Sequence, residues 1–136
     1  MRISSRTGYG IRAMIELAAH YEQGPLQLRI IAERQGISAK YLEQMMPVLR
    51  AASLVRTVRG AKGGYMLAKA PAEIRLSEVF RCLEGQVATS ECVADPEVCD
   101  RTVDCVARKI WVEVEESVTN VLDAVTLGDM MDRMQK

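Results

Sequence analysis

The chain has 136 residues, 49% of them apolar, with 18 basic and 18 acidic side chains and four cysteines. That is long and apolar enough for one buried core, which excludes a disordered polypeptide. No charge-free apolar run approaches the roughly 20 residues of a membrane span, and the first residues lack the pattern of a secretion signal. The expected compartment is therefore the cytoplasm, with no membrane contact. The zero net charge hides a division: residues 1–70 carry +7 and residues 71–136 carry −7. The first half is suited to a polyanion and the second to another task.

In MRISSRTGYGIRAMIELAAHYEQGP, the apolar residues Ile11, Met14, Ile15, Ala18 and Ala19 recur at helical spacing behind the capping candidates Ser4, Ser5 and Thr7. This predicts a helix with one buried face, ended by Gly24 and Pro25. Arg2 and Arg6 put positive charge at its start, and His20, the only histidine, falls near its end as a cap or surface residue.

From Leu28 to Leu67 the pattern is a helix, a tight turn, a second helix and a hairpin. Ile31 and Ala32 lie on one face of the first helix, Gly36 supplies the turn, and Ile37, Leu42 and Met45 pack the second helix back. A small residue at the crossing and a glycine able to take positive φ are what a helix-turn-helix requires, and Ser38 is placed to cap its second helix. SLVRTV, RGAKGG and GYML then read as strand, glycine-rich turn and strand, a wing. Arg56, Arg59 and Lys62 place cations on this hairpin, in reach of phosphates or a minor groove. Together these features predict a DNA-reading unit.

LSEVFRCLEG follows, with Leu76, Val79, Phe80 and Leu83 at helical spacing, Gly85 closing the helix and Cys82 among the apolar positions as a small core residue. Residues 86–108 show no sustained period. They are acidic and carry Cys92, Cys99 and Cys105 with spacing C-x6-C-x5-C. An odd number of thiols in a reducing compartment argues against a disulfide framework, and the lone distant histidine argues against a nucleophilic enzyme site. Metal binding, as an iron-sulfur cluster or zinc, and thiol redox sensing remain. No general base, nucleophile pair or phosphate loop appears, so an enzyme is not expected.

From Ala107 to Val125 a heptad stripe of Trp111, Val114, Val118, Val121 and Val125, widened by Ile110 and Leu122, predicts an amphipathic helix that pairs with a second copy. LGDMMDRMQK reads as a loop and a short methionine-rich helix. The expected fold is mainly α with a small β hairpin. Residues 1–85 form a winged helix-turn-helix domain, 86–106 a cysteine-containing sensor loop, and 107–136 a long dimerisation helix with its C-terminal tail.

The opening MRISSRTGYGIRAM, the blocks GISAKYLEQMMPVLR, LVRTVRGAKGGYML and PAEIRLSEVFRCLEG, and three cysteines before a long helix together resemble the Rrf2 family of bacterial transcription regulators, nearly end to end. The family includes the iron-sulfur assembly regulator and the nitric-oxide-sensing repressor. The resemblance implies a homodimer on a palindromic double-stranded operator, with Ser38, Lys40, Tyr41, Glu43 and Gln44 facing the major groove and Arg59 the minor groove. It also implies that Cys92, Cys99 and Cys105 ligate a [2Fe-2S] or [4Fe-4S] cluster whose state sets DNA affinity. Two departures stand out. The first cysteine gap is six residues where the assembly regulator and the nitric oxide sensor commonly have five. Arg108 occupies the place of the histidine found three residues after the last cysteine of the assembly regulator, and the N-terminal stretch that supplies an acidic ligand in some relatives reads Thr7, Gly8, Tyr9 here. The fourth ligand is left open. Alternatives from the residues are a DNA-binding regulator using its cysteines as redox thiols or a zinc site, one controlled by a protein partner, and a module acting through protein contacts without DNA.

Overall fold

The structure, a computed structural model, describes residues 2–135. It consists of α1 (Ser5–Ala19), α2 (Leu28–Gln35), α3 (Ala39–Ala51), β1 (Val55–Val58), β2 (Gly64–Leu67), α4 (Leu76–Leu83), α5 (Glu91–Ala94), α6 (Val106–Ala124) and α7 (Leu127–Met134), with single 3-10 turns at Pro71–Glu73 and Pro96–Val98. The expected architecture, mainly helical with one antiparallel hairpin, is what forms.

α1 begins where the Ser4 side chain accepts the Thr7 N–H at 3.2 Å, satisfying one of the free donors of the first turn. It stops at Ala19, short of Gly24 and Pro25, with His20 as its C-cap. The early stop has a tertiary cause. Leu26 must lie alongside the hairpin, where its N–H donates to Tyr65 O at 2.8 Å and its carbonyl accepts from Tyr65 N at 2.9 Å. The chain turns through Glu22 and Gly24, both at positive φ, to reach that bridge. The approach also explains Gly64, at φ +154°, where a Cβ would come within 2.5 Å of Leu26 O.

The core lies between α1, α2, α3, α4 and the hairpin, and its fully enclosed side chains include Met14, Ile31, Leu42, Met46, Leu49 and Ile74. The register Val55↔Leu67 to Val58↔Gly64 turns Val55 and Leu67 inward and leaves Arg56 exposed, the period-two alternation of a half-buried ribbon. The terminal helix α7, grouped by sequence with the dimerisation helix, packs against α1 and the Pro71–Glu73 turn. Leu127 is wholly enclosed, and its N–H donates to Ile74 O at 2.9 Å while Leu76 N donates to Val125 O at 2.7 Å. Thr126 and Asp129 cap α7 reciprocally, at 3.0 and 2.9 Å.

α6 differs from every other long helix, since none of its 19 residues is buried. Its Val106, Ile110, Trp111, Val114 and Val121 are exposed, Val121 to 62%. Glu115, Thr119 and Leu122, at the i, i+4, i+7 spacing of a single helix face, instead border the cleft towards α4.

Candidate nucleic-acid interface and cysteine loop

The turn between α2 and α3 forms as its sequence requires. Gly36 adopts the left-handed conformation, φ 62° and ψ 36°, and its N–H returns to α2 carbonyls. The Ser38 side chain caps α3 by accepting from Tyr41 N at 3.4 Å. The buried side of α3 is Leu42, Met45, Met46 and Leu49. Opposite lie exposed Ser38, Lys40, Glu43 and Gln44, with Tyr41 half-buried. Ser38, Lys40, Tyr41 and Gln44 line one shallow depression with Ser5 and Tyr9 of α1, while Glu43 lies outside it. Pro47 inside α3 has no N–H to donate to the Glu43 carbonyl.

Tyr9, Arg12, Glu16 and Gln35 brace this face, a role that the sequence alone does not assign them. The Tyr9 ring meets Tyr41 edge to face, at 5.8 Å between centroids, and the Arg12 guanidinium lies 5.5 Å from the Tyr9 ring centre. Arg12 also donates from Nε to Gln35 Oε1 at 2.9 Å and from its terminal nitrogen to the Gln35 carbonyl. Gln35 Nε2 donates in turn to Glu16 Oε1 at 2.6 Å. α1 thus holds both helices of the reading unit. The only available signal was that Tyr9, Arg12 and Glu16 recur at three and four residues along one side of α1, a spacing that does not name its partner.

The wing places Arg56, Arg59 and Lys62 in solvent. Its turn depends on Gly63, where a Cβ would collide with the Val58 carbonyl, and on Gly60 at φ +107°. Gln27 Nε2 donates to Ala61 O at 3.3 Å, pinning the tip to the start of α2.

The start of α1 is joined to the end of α4. The Glu84 carboxylate accepts from Ser4 N at 3.3 Å, from Ser4 Oγ at 2.6 Å and from Thr7 Oγ1. The Ser4 and Thr7 hydroxyls, with the Ser4 N–H, hold the carboxyl below its ordinary range against a small opposing effect of burial. Beside this clamp Gly10 packs on Leu83 so closely that a Cβ would collide. Cys82, one position earlier, is half-buried against the core and donates to Val48 O at 3.5 Å, and its burial raises the thiol pKa.

Past Gly85, at φ +94°, the loop carries its three cysteines on different local structures. Cys92 is half-buried on α5, its sulfur 3.1 Å from Ser90 Oγ. Cys99 is exposed at the end of the Pro96–Val98 turn. Cys105 is the N-cap of α6, its sulfur accepting from Arg108 N at 3.4 Å. Arg108 Nε reaches Cys92 O at 3.3 Å and so ties the first and last cysteine segments together. Thr89 Oγ1 adds a bond to Trp111 O at 2.8 Å. Among the described residues no three His, Cys, Asp or Glu side chains are gathered as a metal site. In donor type the three thiols do fit an iron-sulfur or zinc centre. Arg108, a cation already engaged with the Cys92 carbonyl, is not a fourth ligand.

Residues 3–133 match the family model described as Rrf2, iron-dependent transcriptional regulator. The protein Rrf2 of Nitratidesulfovibrio vulgaris is 37% identical over 96% of this chain and 87% of its own length. Among solved structures, the IscR of T. potens is 40% identical over 98% of this chain and 88% of its own, with a TM-score of 0.81. CymR, the global cysteine regulator of Bacillus subtilis, is 36% identical over 98% of both chains, with a TM-score of 0.85. The chain therefore belongs to the Rrf2 family of transcription regulators, DNA-binding proteins that are not enzymes.

Proposed function

We propose that the chain acts as a cytoplasmic homodimer that binds a palindromic operator and whose affinity is set by an iron-sulfur cluster on Cys92, Cys99 and Cys105. The observation that carries this reading is the continuity from Cys105 into α6. The last thiol of the loop is the N-cap of a helix whose Ile110, Trp111, Val114 and Val121 are left exposed by the described residues. A second copy covers that side, which makes α6 the dimer helix. A change at Cys105 then bears directly on how two reading units are spaced, and binding to two half-sites is sensitive to that spacing.

On DNA, Ser38, Lys40, Tyr41, Glu43 and Gln44 face the major groove from the exposed side of α3, and Arg56, Arg59 and Lys62 serve phosphates and the adjacent minor groove from the wing. Half or more of such contacts position the protein on the backbone, and the base edges give the preference. When bound, a cluster supplies a group of variable charge and redox state held by soft thiolates. This chain's part is to present the three thiols and to anchor the two ends of the loop through Arg108.

The test is anaerobic purification with iron and sulfide analysis, visible spectroscopy and operator binding on one preparation. The expected result is stoichiometric iron and sulfide, visible absorption lost in Cys92→Ala, Cys99→Ala and Cys105→Ala but kept in Cys82→Ala, and an operator affinity that changes when the cluster is removed. Protein free of iron and sulfide overturns the cluster and leaves the second reading, thiol or zinc control. That reading is favoured by Arg108 in place of a histidine and by the Cys92 sulfur beside Ser90 Oγ.

A further inference from the structure

The cleft between α4 and α6 belongs neither to the DNA face nor to the cysteines. Its volume is about 490 Å³, within the roughly 300–1,000 Å³ of small-molecule sites. Phe80 and Leu122 give it an apolar wall, Ser77 and Thr119 supply hydroxyls, and Arg81 from α4 and Glu115 from α6 bring opposite charges. Among the described residues neither of those charges is in an ion pair. Glu115 Oε2 is moreover a buried oxygen without a hydrogen-bond partner. Buried polar atoms are nearly always satisfied, so an orphaned carboxylate oxygen bordering a cavity points to a donor that the protein itself does not provide.

We propose that this cleft binds a small zwitterion of the free amino-acid class. Its ammonium group donates to Glu115, its carboxylate is received by the Arg81 guanidinium, whose planar fork matches two carboxylate oxygens, and its side chain rests on Phe80 and Leu122. The hydroxyls of Ser77 and Thr119 flank the charged ends. Glu115, Thr119 and Leu122 occupy a different side of α6 from the exposed Ile110, Val114 and Val121, so pairing through those three residues leaves the cleft open. A ligand there joins the reading unit, through α4, to the dimer helix. This inference holds whether or not the cysteines carry a cluster.

The test is isothermal titration of the full-length protein with each of the twenty free L-amino acids. Each binder is followed by its N-acetyl and amide derivatives and by amide hydrogen exchange on the wild type. The expected result is saturable binding of at least one free amino acid at one site per chain. Both derivatives should bind at least tenfold more weakly, with added exchange protection around residues 77–87 and 115–122. Glu115→Gln should abolish the discrimination against the N-acetyl form and Arg81→Met that against the amide, while Glu113→Gln behaves as wild type. Absence of saturable binding by all twenty overturns the proposal. So does binding that protects another part of the chain, a readout that stands even where a variant fails to fold.

Discussion

The winged-helix unit and α6 are both amphipathic by sequence, yet they end differently. In the first, each apolar face finds a partner within the chain: α3 turns Leu42, Met45, Met46 and Leu49 into the core, and even the remote tail delivers Leu127 to it. α6 has a comparable apolar side and buries no residue. An apolar face left open on a regular 19-residue helix is the kind of surface that a partner covers, which is the basis of the proposed dimer. The reading unit is complete in one chain, and the proposed dimer is what would complete α6.

The largest effect that separates the two regions is on stability. Leu127→Ala removes a wholly enclosed side chain and should cost about 2–5 kcal/mol in denaturant unfolding, although it sits beyond α6 in sequence. Val121→Asp, on the open side of α6, should leave the protomer folded by circular dichroism and convert the dimer to monomer in sedimentation, because a charge would otherwise be buried unpaired. A Val121→Asp protein that remains dimeric would place the interface elsewhere.

Smaller differences sharpen the same contrast. Arg59→Ala on the wing should weaken operator and random DNA alike and flatten the salt dependence, whereas Glu43→Ala on α3 should shift preference between operators by ~1–3 kcal/mol in competition binding. Equal losses on both DNAs for Glu43→Ala would remove it from base reading. Ser38→Ala, which deletes the cap of α3, should destabilise by about 1 kcal/mol in urea titration.

The smallest expected effect concerns pH. The Glu84 carboxyl is held low in the folded state by Ser4 and Thr7. Its contribution is therefore fully present above the ordinary carboxylate range and fades as pH falls through the lowered folded value. Glu84→Gln should flatten the acid side of the stability profile and leave the neutral side little changed in shape. An unaltered acid limb would show that the clamp contributes nothing.

By itself the sequence determined the local elements. Gly36, Ser38, the Gly60 and Gly63 turn and the 3.6-residue periods of the helices are local constraints, satisfied by backbone conformation and by neighbours within a few positions. They made the helix-turn-helix, the wing and the long helix legible, and with them the family. What only the tertiary structure decided are pairings between distant positions. These are the end of α1 at Ala19, set by the Leu26 bridge to Tyr65, the bracing of Tyr41 by Tyr9, the Glu84 clamp on Ser4 and Thr7, and the return of α7 to the core. The physical reason is the same in each case: a helix period says that a face will be buried, and the element that covers it is chosen by which surfaces the folded chain brings together.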